Sequence, residues 1–331
     1  VIRSEAILLQ VDKPDDPLHH ERRCGVVQIT RERALMNKPR VGVIGLGSMG
    51  GGVAKSLLRA GFPVRVCDVR PEVVQSLVDG GAVACAGPAE LGAACDVVIV
   101  LVVNAEQTET VLFGAQGAAQ AMRKGSVLLM SVTVPPDYAE RLGPRLAERG
   151  ILMIDGPVSG GEAKAVTGEM TMMAAGPAEA FATCEPVLGA IAQKVYRLGE
   201  VHGTGSKVKM INQLLAGVHI AAAAEAMALG IKAGADPKVL YDVITNSAGN
   251  SWMFQNRAPH ILAGDYLPRS AVNIFVKDLG IVLEAGRKST FPLPLTAAAH
   301  QMFLMAAAAG HGREDDAAVI KIFPGIDLPH S

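Results

Sequence analysis

The stretch Arg40-Val41-Gly42-Val43-Ile44, followed at once by Gly45-Leu46-Gly47-Ser48-Met49-Gly50, constrains this chain more than any other. The first part is a short apolar run that reads as a buried strand. Beyond the glycines Val53, Leu57 and Leu58 recur at helical spacing. Between a strand and a helix, G-x-G-x-x-G has a physical purpose. The first glycine permits the tight turn, the second lets the backbone approach a pyrophosphate, and the third lets helix and strand pack closely, while the free N–H groups of the helix start hold the anion. A second apolar run, residues 64–67, ends in Asp68, about 20 residues beyond the glycines, where a carboxylate meets the adenine ribose hydroxyls and repels a 2′-phosphate. NAD is therefore the expected cofactor. Arg70 pulls the other way, because a guanidinium there can pair with such a phosphate.

The same alternation continues, with helical segments at 71–80, 106–113 and 136–149 and strands at 97–103, 126–131 and 151–155. Strands alternating with helices predict an α/β fold, a Rossmann-type doubly wound parallel sheet, with ligands at the carboxyl ends of the strands. From Ser206 onward the pattern is helical, predicting helices over 206–234, 237–245, 252–263, 273–288 and 292–309 and hence an all-helical C-terminal domain. The length of 331 residues suits two domains at about 150 residues each. The expected division is a leader over 1–35, disordered or not native because Met36 can serve as the start, an NAD-binding domain over 36–200, and a helical substrate and oligomerisation domain over 201–331.

Composition removes several other classes. Half the residues are hydrophobic and 19% charged, against intrinsic disorder. Lys plus Arg number 31 and Asp plus Glu 32, so no basic excess exists to neutralise a nucleic acid. The run 97–103 is far short of the ~20 residues of a membrane span. Five cysteines without C-x-x-C spacing argue against a zinc site and for the reducing cytoplasm.

Polar residues collect where strands should end. Asn104 and Thr133 follow two of them, although such residues are more often turn formers than ligands. Ser159-Gly160-Gly161 can present a hydroxyl and successive backbone N–H groups to an anion, which suits a substrate carboxylate. Lys209, Asn212 and Gln213 fall at i, i+3 and i+4 on one face near a helix start, where burial and the helix dipole would lower the lysine pKa toward the range of a proton-transfer group. On spacing alone, a solvated lysine is the commoner reading.

These motifs, with Lys277-Asp278-Leu279, resemble the β-hydroxyacid dehydrogenase family over residues 41–323. Within it, 102–108, 213–220, 248–254 and 312–323 are most similar to the branch acting on L-threonate. The resemblance implies that Lys209 takes the hydroxyl proton as hydride leaves for the nicotinamide, and that Ser159, Gly160 and Gly161 hold the substrate carboxylate. It also implies that Thr133 and Lys277 contact the cofactor, that Asn104 borders the nicotinamide ribose, and that the enzyme is a homodimer or homotetramer. The expected reaction is NAD-dependent oxidation of L-threonate at C2. Competing readings are another short hydroxy acid, such as 3-hydroxyisobutyrate or glycerate, and a non-catalytic dinucleotide-binding regulator. The family usually carries asparagine four residues after the lysine, but this chain has Gln213 there, beside Asn212, so the resemblance does not divide their roles.

Overall fold

The computed structural model describes residues 25–27 and 38–328. Strand β1 (Gly25–Val27) lies at the rim of a small sheet. The main sheet contains β2 (Val41–Ile44), β3 (Val64–Cys67), β4 (Val83–Ala84), β5 (Val97–Val100), β6 (Val127–Met130) and β7 (Leu152–Asp155), in the order β4-β3-β2-β5-β6-β7. All neighbours are parallel and in simple register, Val41 opposite both Val64 and Val97. The order reverses between β2 and β5, which opens a crevice at their carboxyl ends.

Period-two alternation sends successive side chains to opposite faces, and both faces are covered. Val41, Val43, Ile99, Leu129 and Ile154 pack under α1 (Ser48–Arg59) and, later in the chain, α8 (Ala178–Ile191), through Val53, Leu57, Phe181 and Val187. Ile44, Val98, Val100, Leu128 and Met130 point the other way. They meet α3 (Pro88–Ala94), α4 (Ala105–Phe113) and α6 (Pro136–Ala147) through Leu91, Leu112, Leu142 and Leu146. Helix α5 (Ala118–Ala121) completes this layer through Ala118 and Ala119, while α2 (Pro71–Val78) lies on the α1 side through Leu77.

The doubly wound sheet is as expected, with differences at its margins. The strand read as 97–103 leaves the sheet after Val100, and the helix read as 136–149 ends at Ala147, where the chain turns through Gly150 at φ +72°. Strand β4, helix α3 and a four-stranded second sheet are additions to the expected pattern. In that sheet β8 (Val158–Ser159) pairs antiparallel with β9 (Met170–Ala174), which runs parallel to β10 (Ala192–Arg197). Helix α7 (Gly161–Thr167) joins β8 to β9. Strand β1 pairs antiparallel with Val195–Arg197, so three residues of the segment read as a leader are placed at a sheet edge. The rest of that segment lies outside the described residues.

The C-terminal part is helical: α9 (Thr204–Lys232), α10 (Pro237–Thr245), α11 (Trp252–Ala263), α12 (Val272–Ser289) and α13 (Pro294–Ala306), closed by a 3-10 turn over Asp316–Ile322. Among the described residues α9 alone is long and apolar enough to cross a membrane. Here its Ile220, Ala224 and Met227 share a core with Phe254, Phe275, Phe303 and Val319.

Candidate functional site

The glycine turn after β2 has the form a dinucleotide needs. Gly45 sits at φ +88°, and a Cβ on Gly50 would collide with the Gly45 carbonyl oxygen, so neither position tolerates a side chain. A Cβ on Gly47 would occupy open space, the room a pyrophosphate requires above the start of α1. No side chain caps that helix end, Ser48 is exposed and Met49 half-buried, so the first N–H groups are available to an anion.

Asp68, at the end of β3, accepts the Leu46 N–H at 2.6 Å, which ties the carboxylate to the glycine turn. Arg70 does not reach outward for a phosphate. Its Nε and Nη2 donate to the two Asp68 oxygens at 2.9 and 3.0 Å, and its backbone N–H donates to Oδ1. Partial burial pushes the Asp68 carboxyl up, but the bonds from Arg70 and Leu46 outweigh it and hold the group below the usual carboxylate range. The competing role of Arg70 is thus weakened, because its charge is neutralised by the Asp68 carboxylate.

A second group of residues is assembled by Asp155, the last residue of β7. This buried carboxylate accepts the Gly203 and Ser206 N–H groups, each at 2.9 Å, and the Ser206 hydroxyl at 2.7 Å. These bonds fasten the first turn of α9 to the main sheet. Gly205 permits the approach, because a Cβ there would run into the carbonyl oxygens of Asp155 and Met173. One turn later stands Lys209.

Lys209 is only 7% exposed, so the reading of a solvated lysine is excluded by its position. Its Nζ donates to Gln213 Oε1 at 2.7 Å. Burial lowers its pKa, the Asp278 carboxylate partly restores it, and the Lys277 ammonium lowers it again, leaving it at about 8. Asn212 is half-buried and donates through Nδ2 to the same Gln213 oxygen at 3.1 Å. The structure therefore separates the two amides: Gln213 touches the lysine, and Asn212 buttresses Gln213.

Two residues of α12 complete the group. Gln213 Nε2 donates to Asp278 Oδ2 at 2.6 Å, and Asp278 Oδ1 lies 2.9 Å from Lys277 Nζ. Lys277 reaches across to the main-sheet domain, donating to the carbonyls of Val103 at 2.7 Å and Thr133 at 3.0 Å. Thr133 is thus brought to Lys277 through its backbone. Asn104 caps α4 by accepting the Gln107 N–H at 2.8 Å, so its side chain acts as a cap, the commoner role for that residue type. Asp278 was not singled out as a site residue in the sequence. Its adjacency to Lys277 was the available signal, but nothing local shows that it faces α9.

Ser159, Gly160 and Gly161 form the turn from β8 into α7, with the glycines at φ +136° and +72°. A Cβ on Gly161 would meet nothing, so this turn opens toward free space. No hydrogen bond among the described residues joins it to Lys209. The two are linked through Asp155, which precedes β8 in the chain and anchors α9.

The chain is similar to known proteins over most of its length. A family model described as the NAD binding domain of 6-phosphogluconate dehydrogenase matches residues 40–199. One described as NAD-binding of NADP-dependent 3-hydroxyisobutyrate dehydrogenase matches 203–323. The chain is 71% identical to an L-threonate dehydrogenase of Cupriavidus necator over 87% of its own length and 97% of that protein's. It is 51% identical to an L-threonate dehydrogenase of Escherichia coli K12, covering 87% and 96%. A crystal structure from Salmonella typhimurium described as 3-hydroxyisobutyrate dehydrogenase superposes with a TM-score of 0.82 at 51% identity, covering 86% of this chain and 99% of that one. With both parts of the chain matched in order, it belongs to the β-hydroxyacid dehydrogenase family, as an NAD-dependent dehydrogenase of hydroxy acids.

Proposed function

We propose that this enzyme oxidises L-threonate at C2 to the corresponding 2-oxo acid. The observation that carries the chemistry is Lys209, a buried lysine with a pKa of about 8 held at the junction of the two domains. Similarity to the Cupriavidus necator L-threonate dehydrogenase, at 71% identity, supports the substrate. Similarity to the Salmonella typhimurium protein, described as a 3-hydroxyisobutyrate dehydrogenase, favours that hydroxy acid as a second reading.

Bound NAD supplies the hydride acceptor. In its neutral form Lys209 accepts the C2 hydroxyl proton while the C2–H bond breaks with its electron pair and the carbonyl forms. In the reverse direction the ammonium returns the proton. Ser159, Gly160 and Gly161 receive the substrate carboxylate on backbone N–H groups and a hydroxyl, and Asn212 and Gln213 border the reacting carbon. Lys277 frames the nicotinamide end by fixing the Val103 and Thr133 carbonyls. Asn104 contributes the shape of the neighbouring turn. Asp68, already an acceptor for backbone and guanidinium donors, favours NAD because its carboxylate stands at the ribose position and keeps Arg70 from pairing with a 2′-phosphate.

The division into a dinucleotide domain over 36–200 and a helical domain over 201–331 belongs to this reading. So does association into a dimer or tetramer, which an exposed apolar stripe on α9, Val208, Ile211 and Leu215, would serve. We place the reaction in the cytoplasm.

The test is NADH formation with L-threonate, 3-hydroxyisobutyrate and glycerate in parallel. The highest kcat/KM is expected with L-threonate; selectivity for 3-hydroxyisobutyrate would transfer the proposal to the second reading.

A further inference from the structure

Gln213 is an unusual neighbour for a proton-transferring lysine, because the two ends of its amide have nearly the same shape and opposite hydrogen-bonding character. With Oε1 toward Lys209, the amide accepts an N–H from the amine or the ammonium, and the lone pair of the neutral amine stays free. With Nε2 toward Lys209, the amide donates into that lone pair and occupies the acceptor the substrate proton needs. Against the ammonium, the reversed amide sets donor against donor. The working orientation therefore requires something to hold the amide.

Asp278 is placed to do so. It is 2% exposed, and its Oδ2 accepts from Gln213 Nε2 at 2.6 Å. A carboxylate is an acceptor only, so it cannot face Oε1, and the reversed amide would lose this bond. Asn212 adds a donor on the opposite side, its Nδ2 lying 3.1 Å from Oε1. The other Asp278 oxygen has no hydrogen bond among the described residues and lies 2.9 Å from Lys277 Nζ, which bonds the Val103 and Thr133 carbonyls. One line of contacts thus runs from the strand ends of the dinucleotide domain through Lys277, Asp278 and Gln213 to Lys209.

The length of Gln213 matters here. Its amide reaches Lys209 at 2.7 Å and Asp278 at 2.6 Å together. An asparagine amide drawn back by one C–C bond, about 1.5 Å, cannot keep both contacts without movement of a helix.

The geometry points to Asp278 as a positioning residue for the reaction: acting through Gln213, it fixes which edge of the Lys209 amine meets the amide and leaves the other edge to the substrate hydroxyl. The inference rests on the reading of Lys209 as the proton-transfer group. Asp278 also faces Lys209 as a negative charge, opposed by the positive charge of Lys277, and these are the charged groups that act on it.

Asp278→Asn keeps the shape, removes the charge and introduces a second amide that can set donor against donor. It is expected to lower kcat about tenfold or more, part of the roughly 10²–10⁴-fold range of proton-transfer catalysis. Gln213→Asn should do the same, and the double variant should lose no more than the worse single one, because both break one arrangement. A second readout is the titration of Lys209 in protein labelled with ¹³C at the lysine ε-carbon, in the NAD complex, its signal identified by its loss in Lys209→Ala. That titration should move to lower pH in Asp278→Asn, which a merely structural role would not produce. Wild-type kcat with an unmoved titration overturns the inference, as do losses that multiply in the double variant. If Asp278→Asn does not fold, Gln213→Asn decides, and wild-type kcat there overturns it. Full turnover in Lys209→Ala would instead fail the proton-transfer reading itself, and the positioning role with it.

Discussion

Asp155 and Ser206 are joined twice, the hydroxyl to Oδ1 at 2.7 Å and the backbone N–H to Oδ2 at 2.9 Å, across the boundary between the main sheet and α9. Each bond to a buried carboxylate contributes about 1.5–3 kcal/mol. Asp155→Ala also strands the Gly203 N–H. It should therefore destabilise the protein by about 3 kcal/mol in urea unfolding and lower kcat, because Lys209 lies one turn beyond the anchor.

The ribose site makes a separate prediction. Asp68 accepts bonds from Leu46 and Arg70. Asp68→Ala removes the ribose acceptor and releases the guanidinium to meet a phosphate, so the NAD Kd should rise about tenfold or more while NADP binding improves. Isothermal titration with both dinucleotides measures the change.

Lys209 sets the pH dependence. Its pKa lies at about 8 against an ordinary 10.5 because burial disfavours the ammonium. Oxidation needs the neutral amine, so kcat/KM for the hydroxy acid should rise with pH and level off above about 8. Reduction of the 2-oxo acid needs the ammonium and should fall over the same interval. Initial rates in both directions check the two signs.

The closing turn of the helical domain depends on a buried ion pair. Arg257 donates to Asp316 through Nε at 2.5 Å and Nη2 at 3.0 Å, and Asp316 is fully buried. Removing one member leaves the other charge uncompensated, which costs about 3–5 kcal/mol. Asp316→Ala should show that loss in chemical denaturation.

The glycine turn, Asp68 and the parallel sheet were legible because each rests on local pattern: glycines at a turn, valines at period two, an acid at the end of the next strand. Helices α10 and α11 were equally local, bounded by Asp236 and Ser251, whose side chains cap them. The second sheet was not legible, since Met170-Thr171-Met172-Met173-Ala174 lacks the β-branched enrichment of a strand and is held by pairing with distant residues. Asp278 failed to stand out for the same reason. Its partner Gln213 lies on another helix, and only packing of α12 on α9 brings them together. The division of labour between Asn212 and Gln213 is likewise a matter of side-chain reach, which spacing does not encode.

The most direct test is turnover in Lys209→Ala with saturating NAD and L-threonate, measured beside NAD affinity. The predicted result is that kcat falls by roughly two to four orders of magnitude while NAD binding is unchanged. Turnover near that of the wild type would contradict it.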